Sequence, residues 1–149
     1  MSIGSKQAVL EALSALLAST SLLYLKTRNY HWNVSGPLFS ALHLLFERQY
    51  KELEEAIDEI AERMQALGAW APGSYAEYVK VSVVKEDTGR PKAEEMLRTL
   101  TADHEAVAGV ARRLIAAAEA AQDQASMDLG IRRQFAHEKH AWMLRSHLA

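Results

Sequence analysis

Cysteine is absent from the 149 residues. Thiol catalysis, thiolate zinc sites and disulfide scaffolds are excluded with it. Proline and glycine are scarce, at 3 and 7, too few for a β-sandwich with many tight turns or for a disordered chain. No surplus of positive charge exists either: 17 Lys and Arg stand against 19 Asp and Glu, a net charge of -2. Backbone-driven nucleic-acid binding needs a basic excess, so neutralising phosphates is not the main work of this chain. Long apolar runs are also missing. The run Leu22-Leu23-Tyr24-Leu25 is stopped by Lys26 and Arg28, so neither a signal peptide nor a membrane span is expected, and the cytoplasm is the default location. Apolar residues make up 49% of the chain, enough at this length to bury one core in a single domain spanning 1–149.

Turn signals at Gly36-Pro37, Gly68 to Gly73, Gly89 to Pro91 and Gln122 to Ser126 separate four long segments rich in Ala, Leu, Glu, Arg and Gln. The first, 6–33, repeats Val9, Leu13, Leu16, Leu17 and Leu23 at helical spacing. The second starts with Pro37, suited to a first helical position, and ends before Gly68, a natural cap. The third, 91–121, has Glu94 and Glu95 near its start, where the helix dipole favours anions. The fourth, 124–148, carries Leu129, Phe135, Trp142 and Met143. Val79, Val81 and Val83 alternate like a strand, but a lone strand has nothing to pair with, so a short helix and a loop are expected there. Four helices with one long connection between the second and third predict an all-α, ferritin-like antiparallel four-helix bundle.

The second segment has two ordered faces. With Phe39 at zero and about 100° per residue, Leu42, Phe46, Leu53, Ile57, Ile60, Met64 and Leu67 share one stripe, the core. On the same wheel His43, Glu47, Asp58 and Glu62 lie between about 40° and 140°, a second stripe beside the core. His43 and Glu47 are one turn apart, as are Asp58 and Glu62, so each pair can share an ion. His43 and Asp58 are separated by roughly 22 Å of helix, so one ion cannot touch both pairs in one chain. A second copy packed antiparallel across a two-fold axis would bring His43 of one chain to Asp58 and Glu62 of the other, twice per dimer. His31, at the end of the first segment, reaches the same end as His43. Mixed imidazole and carboxylate ligands suit iron, zinc or manganese, and open positions suit Fe(II) oxidation. A di-iron centre inside the bundle would need Glu-x-x-His on two helices. No Asp or Glu here has a histidine three positions later, so that centre is excluded.

The run Asn29-Tyr30-His31-Trp32-Asn33-Val34-Ser35-Gly36-Pro37 is followed by Phe39, Leu42-His43, Phe46, Tyr50, Asp58 and Ala61-Glu62-Arg63. With Ala93-Glu94-Glu95-Met96, Asp103-His104-Glu105-Ala106-Val107, His137-Glu138-Lys139 and Trp142-Met143-Leu144-Arg145, the chain resembles the Dps family of mini-ferritins over nearly its whole length. The resemblance implies a hollow homo-dodecamer. It also implies oxidation of Fe(II), preferably with hydrogen peroxide, storage of the ferric mineral inside, and protection of DNA from oxidative damage. The implied ligands are shared between subunits: His31 and His43 from one, Asp58 and Glu62 from its partner, with zinc or manganese as substitutes for iron. One position departs. Where many family members have Asp four residues after the second histidine, this chain has Glu47, whose carboxylate sits one methylene further out.

Other features weigh less. Asp123 and Asp128 fall where the family's three-fold pores admit iron, and acidic helix starts are also ordinary caps. Trp32, beside His31, is read either as a radical quencher or as interface packing. His104, His137, His140 and His147 form no recognisable chelating set and are expected to be surface or structural, and Arg112-Arg113 and Arg132-Arg133 to be salt-bridged interface or surface residues. The alternative function is a structural nucleoid protein that binds DNA directly. Met1 to Ser5 contain no basic residue and Lys6 stands alone, so weak DNA binding is expected. A catalytically silent bundle is the third reading.

Overall fold

The computed structural model describes residues 1–149 as five helices and no strand: α1 (Ile3–Asn33), α2 (Phe39–Ala66), α3 (Tyr75–Val81), α4 (Ala93–Ala120) and α5 (Gln124–Arg145). The helix α1 packs against α2 and α4, and α5 packs against α4 and α2. Short links join α1 to α2 and α4 to α5, while residues 67–92 run the length of the bundle and carry α3 against α1. This is the ferritin-like arrangement, with the short extra helix in the long connection. Composition alone would let α1 cross a membrane; here most of that apolar stretch is buried in the bundle.

Local chemistry explains the boundaries. The helix α2 ends in a Schellman motif: Gly68 adopts φ +83, its N–H donates to Gln65 O, and the Ala69 N–H donates to Met64 O. The helix α4 ends the same way with Gln122 at φ 56, the only non-glycine residue with a positive φ. The start of α2 differs from expectation. Pro37 lies in a turn closed by the Phe39 N–H on Gly36 O (3.0 Å), and the helix begins two residues later. Gly36, at φ +105, makes the reversal that returns the chain along α1.

The core joins Leu13, Leu16, Leu17 and Leu23 of α1 to Leu42, Phe46, Leu53 and Ile60 of α2 and Leu97, Leu100 and Leu114 of α4. The crossover is pinned to α1. Lys26 donates to Lys85 O (2.9 Å) and pairs with Asp103 (2.8 Å), Ser19 Oγ accepts from the Val83 N–H, and Tyr30 donates its hydroxyl to Asp87. These bonds hold the far end of α1, where His31 sits. The helix α5 turns large apolar side chains outward and polar ones inward. Phe135 and Trp142 are 71% and 58% exposed, and the core face of the helix is carried by Leu129, Arg133, His137, His140 and Leu144.

Candidate metal centre

The antiparallel pairing of α1 and α2 places His31, in the last turn of α1, beside His43, one turn into α2. Their rings stack with centroids 3.8 Å apart and planes 13° from parallel. Each ring is held by the other residue's backbone: His31 Nδ1 lies 2.7 Å from His43 O, and His43 Nδ1 lies 2.8 Å from His31 O. A carbonyl oxygen only accepts, so both imidazoles carry their proton on Nδ1. Both Nε2 atoms are left as lone-pair donors, the second-sphere arrangement that orients metal-binding histidines. Phe39 stacks on the outer face of His43 at 5.0 Å, and Tyr50 meets His31 edge-on at 5.3 Å.

Glu47 is the next group along. Its Oε1 is 3.9 Å from His31 Nε2, and its Oε2 accepts from Lys51 Nζ at 3.0 Å. The Lys51 hydrogen bond and charge hold the Glu47 carboxyl below its ordinary range, with smaller contributions from His31 and His43. Glu47 is therefore ionised beside the two histidines, but one of its oxygens already has a cation.

Asp58 and Glu62 lie at the other end of α2, exposed to solvent. Their neighbour Glu59 is taken by Arg132 at 2.6 Å. Within one chain no three histidine or acidic side chains come together to hold a metal ion. The structure thus brings His31, His43 and Glu47 to one end of α2 and leaves Asp58 and Glu62 at the other. That division is the one the helical spacing dictates.

Asp123 is a buried cap. It accepts from the Ser126 N–H (3.0 Å) and hydroxyl (2.6 Å) at the start of α5, and it pairs with Arg63 at 2.8 Å. Asp128 is exposed and paired with Arg132. Trp32 is exposed, with the Arg28 guanidinium 5.1 Å from its ring. His147 is exposed, whereas His104, His137, His140 and Arg133 are buried between α2, α4 and α5. Arg133 is the one expected surface arginine that the fold places inside. The signal was present in α5: positions 133, 137, 140 and 144 follow a helical core spacing.

An antiparallel helical bundle with a split imidazole and carboxylate stripe defines a class before it defines a protein. The ferritin-like domain family matches residues 10–149. DNA protection during starvation protein 2 of Bacillus anthracis is 36% identical over 140 residues, 94% of this chain and 96% of that protein. The crystal structure of Dps from Thermosynechococcus elongatus superposes with a TM-score of 0.95 at 36% identity, covering 98% of this chain and 93% of that one. A Vibrio cholerae Dps, described as a member of a broad superfamily of ferritin-like diiron-carboxylate proteins, gives 0.94 at 31% identity, covering 100% of this chain and 94% of that one. This chain belongs to the Dps family of ferritin-like proteins.

Proposed function

We propose that the chain is a ferroxidase and iron store. It oxidises Fe(II), preferably with hydrogen peroxide, at sites shared between two subunits, and it holds the ferric product inside a hollow dodecamer. The observation that carries this reading is the reciprocal locking of His31 and His43, which stacks the two rings and leaves both Nε2 lone pairs free. His31 and His43 of one subunit would bind ferrous iron together with Asp58 and Glu62 of the other, in a two-fold contact between antiparallel α2 helices. Glu47 would serve a second, weaker position. Zinc and manganese fit the same donors.

The residues favour the reaction through charge. Three carboxylates and two neutral imidazoles neutralise Fe(III) more strongly than Fe(II), so the oxidised product is stabilised over the reactant. Two ferrous ions give one electron each, and hydrogen peroxide takes both with two protons to form water. No hydroxyl radical is released, and DNA is protected by removing both reagents from the cytoplasm. The exposed Leu38, Phe39 and Leu44 around the histidines and Ile131, Phe135 and Trp142 on α5 are apolar surface suited to contacts between copies. Direct DNA binding is a minor activity at a net charge of -2.

Mixing two inactive variants tests the shared site. His43→Ala and Asp58→Ala subunits, each inactive alone, regain about a quarter of the wild-type rate when unfolded together and reassembled, because each mixed dimer has one site with all its ligands. No recovery in verified mixed assemblies would place all ligands within one chain and overturn the reading.

A further inference from the structure

Between α2, α4 and α5 lies a buried polar cluster that the proposed chemistry does not use. Glu52 of α2 accepts from Arg133, from both of its terminal nitrogens, and from His140 Nε2 at 2.9 Å. Arg133 Nη2 lies 3.2 Å from His137 Nε2, and His137 Nδ1 lies 2.9 Å from His104 Nδ1. His104 and His137 have no solvent exposure, and Arg133 is 4% exposed.

These contacts leave one arrangement of protons. Arginine only donates, so His137 Nε2 is the acceptor and His137 carries its proton on Nδ1. His104 Nδ1 must then accept, and the His104 proton sits on Nε2, a buried atom with no partner. Both acceptor nitrogens of the pair are in use. A further proton on His137 Nε2 would face the Arg133 donor, and one on His104 Nδ1 would face the His137 donor. Either way a hydrogen bond is replaced by two opposed N–H groups at two fully buried rings. The groups facing the pair are the Arg133 guanidinium and the His140 ring from α5 and the Glu52 carboxylate from α2; Lys26 of α1 and Asp103 of α4 pair with each other. Glu52 already balances Arg133 and Asp103 already balances Lys26, so an imidazolium would have no counter-ion of its own. The Arg133 guanidinium also lies against His137, where a metal ion would have to sit. The ligand this cluster answers to is a proton.

We propose that the His104–His137 pair is an acid-sensitive latch: it holds α5 against α2 and α4 while both rings are neutral, and proton uptake releases α5. Burial keeps both histidines well below their ordinary value of 6.5. The unfolded chain takes up these protons near that value and the folded chain cannot. Stability is therefore full above about 6.5 and falls below it, by up to about tenfold in the folding equilibrium per pH unit for each histidine. The released helix carries Ile131, Phe135 and Trp142 on its exposed face, so acid would loosen contacts between copies along with the bundle. The latch does not depend on the ferroxidase reading.

Hydrogen exchange on the assembled wild-type protein at pH 7.5 and 5.0, corrected for intrinsic rates, tests it. Protection is expected to fall at least tenfold across 133–140 while the centre of α1 keeps its own. Equal protection of α5 at both values, or a uniform loss over all helices, would overturn the latch. A His104→Leu/His137→Met double variant should keep its melting temperature nearly constant from pH 6.5 to 5.0. A slope equal to the wild type's would also overturn it, and if the variant does not fold, exchange in the wild type decides.

Discussion

His31 and His43 hold each other by their backbones: each Nδ1–H donates to the other residue's carbonyl oxygen, at 2.7 and 2.8 Å. The two rings are therefore fixed to the α1–α2 pair, and both Nε2 atoms are left free to bind. Replacing either histidine by alanine frees one carbonyl and costs about 1 kcal/mol. Helical content by circular dichroism should be unchanged, while peroxide-driven oxidation of ferrous iron slows by about a hundredfold, the usual penalty for a lost binding group of this kind. Asp58→Ala should slow oxidation as much with no loss of stability, since Asp58 is exposed. Unchanged rates in both variants would place the chemistry elsewhere.

Glu47 is caught between Lys51 at 3.0 Å and His31 at 3.9 Å. Metal titration should show one tight position per subunit and a second, weaker one. Glu47→Gln should weaken the second by removing its charge, Glu47→Asp should tighten it, and Lys51→Met should tighten it by freeing an oxygen. Equal affinity for the second equivalent across these variants would make Glu47 an ordinary surface acid.

Asp123 caps α5 and neutralises Arg63. Burial raises its pKa, but the Ser126 hydroxyl and N–H and the Arg63 charge outweigh burial, and the net shift is downward. A depressed carboxylate stabilises the fold above the ordinary aspartate range and loses that contribution as pH falls through its folded value. Asp123→Ala should cost about 2 kcal/mol at pH 7. The deficit, read from urea unfolding, should shrink below about pH 4.

Gly130 lets α5 lie close against α4. A Cβ there would meet Ile115 Cγ1 at 2.8 Å and Ala111 O at 3.2 Å. The helix gains intrinsically from alanine, but the contact with backbone wins. Gly130→Ala should destabilise by about 1–3 kcal/mol, measured by thermal unfolding. An increase in melting temperature would mean that α5 can shift outward without loss.

The second segment was legible because one helix face had to be apolar; His43, Glu47, Asp58 and Glu62, the proposed ligands, fall outside its buried face, as their spacing assigns. Gly68 was legible as a cap for a similar reason, since its positive φ suits a residue without a side chain. The fourth segment was misleading. Phe135 and Trp142 are large and apolar yet exposed, and Arg133, His137 and His140 are polar yet buried. Hydrophobicity ranks residues by what they lose singly on leaving water. It does not register that a guanidinium, a carboxylate and three imidazoles hydrogen-bond to one another once three helices bring them together.

By itself the sequence determined the helices, their ferritin-like order, and a division of the proposed ligands on α2 into two halves about 22 Å apart, because 3.6 residues per turn and 1.5 Å per residue leave no other placement. Only the tertiary structure decided which nitrogens of His31 and His43 are free, that Glu47 is shared with Lys51, and that Glu52, Arg133, His104, His137 and His140 form one buried cluster. Those features depend on contacts between residues up to 88 positions apart, such as His140 with Glu52. Proton positions and ion pairs follow from which atoms meet at 3 Å or less, and the local periodicity of a chain carries no record of that.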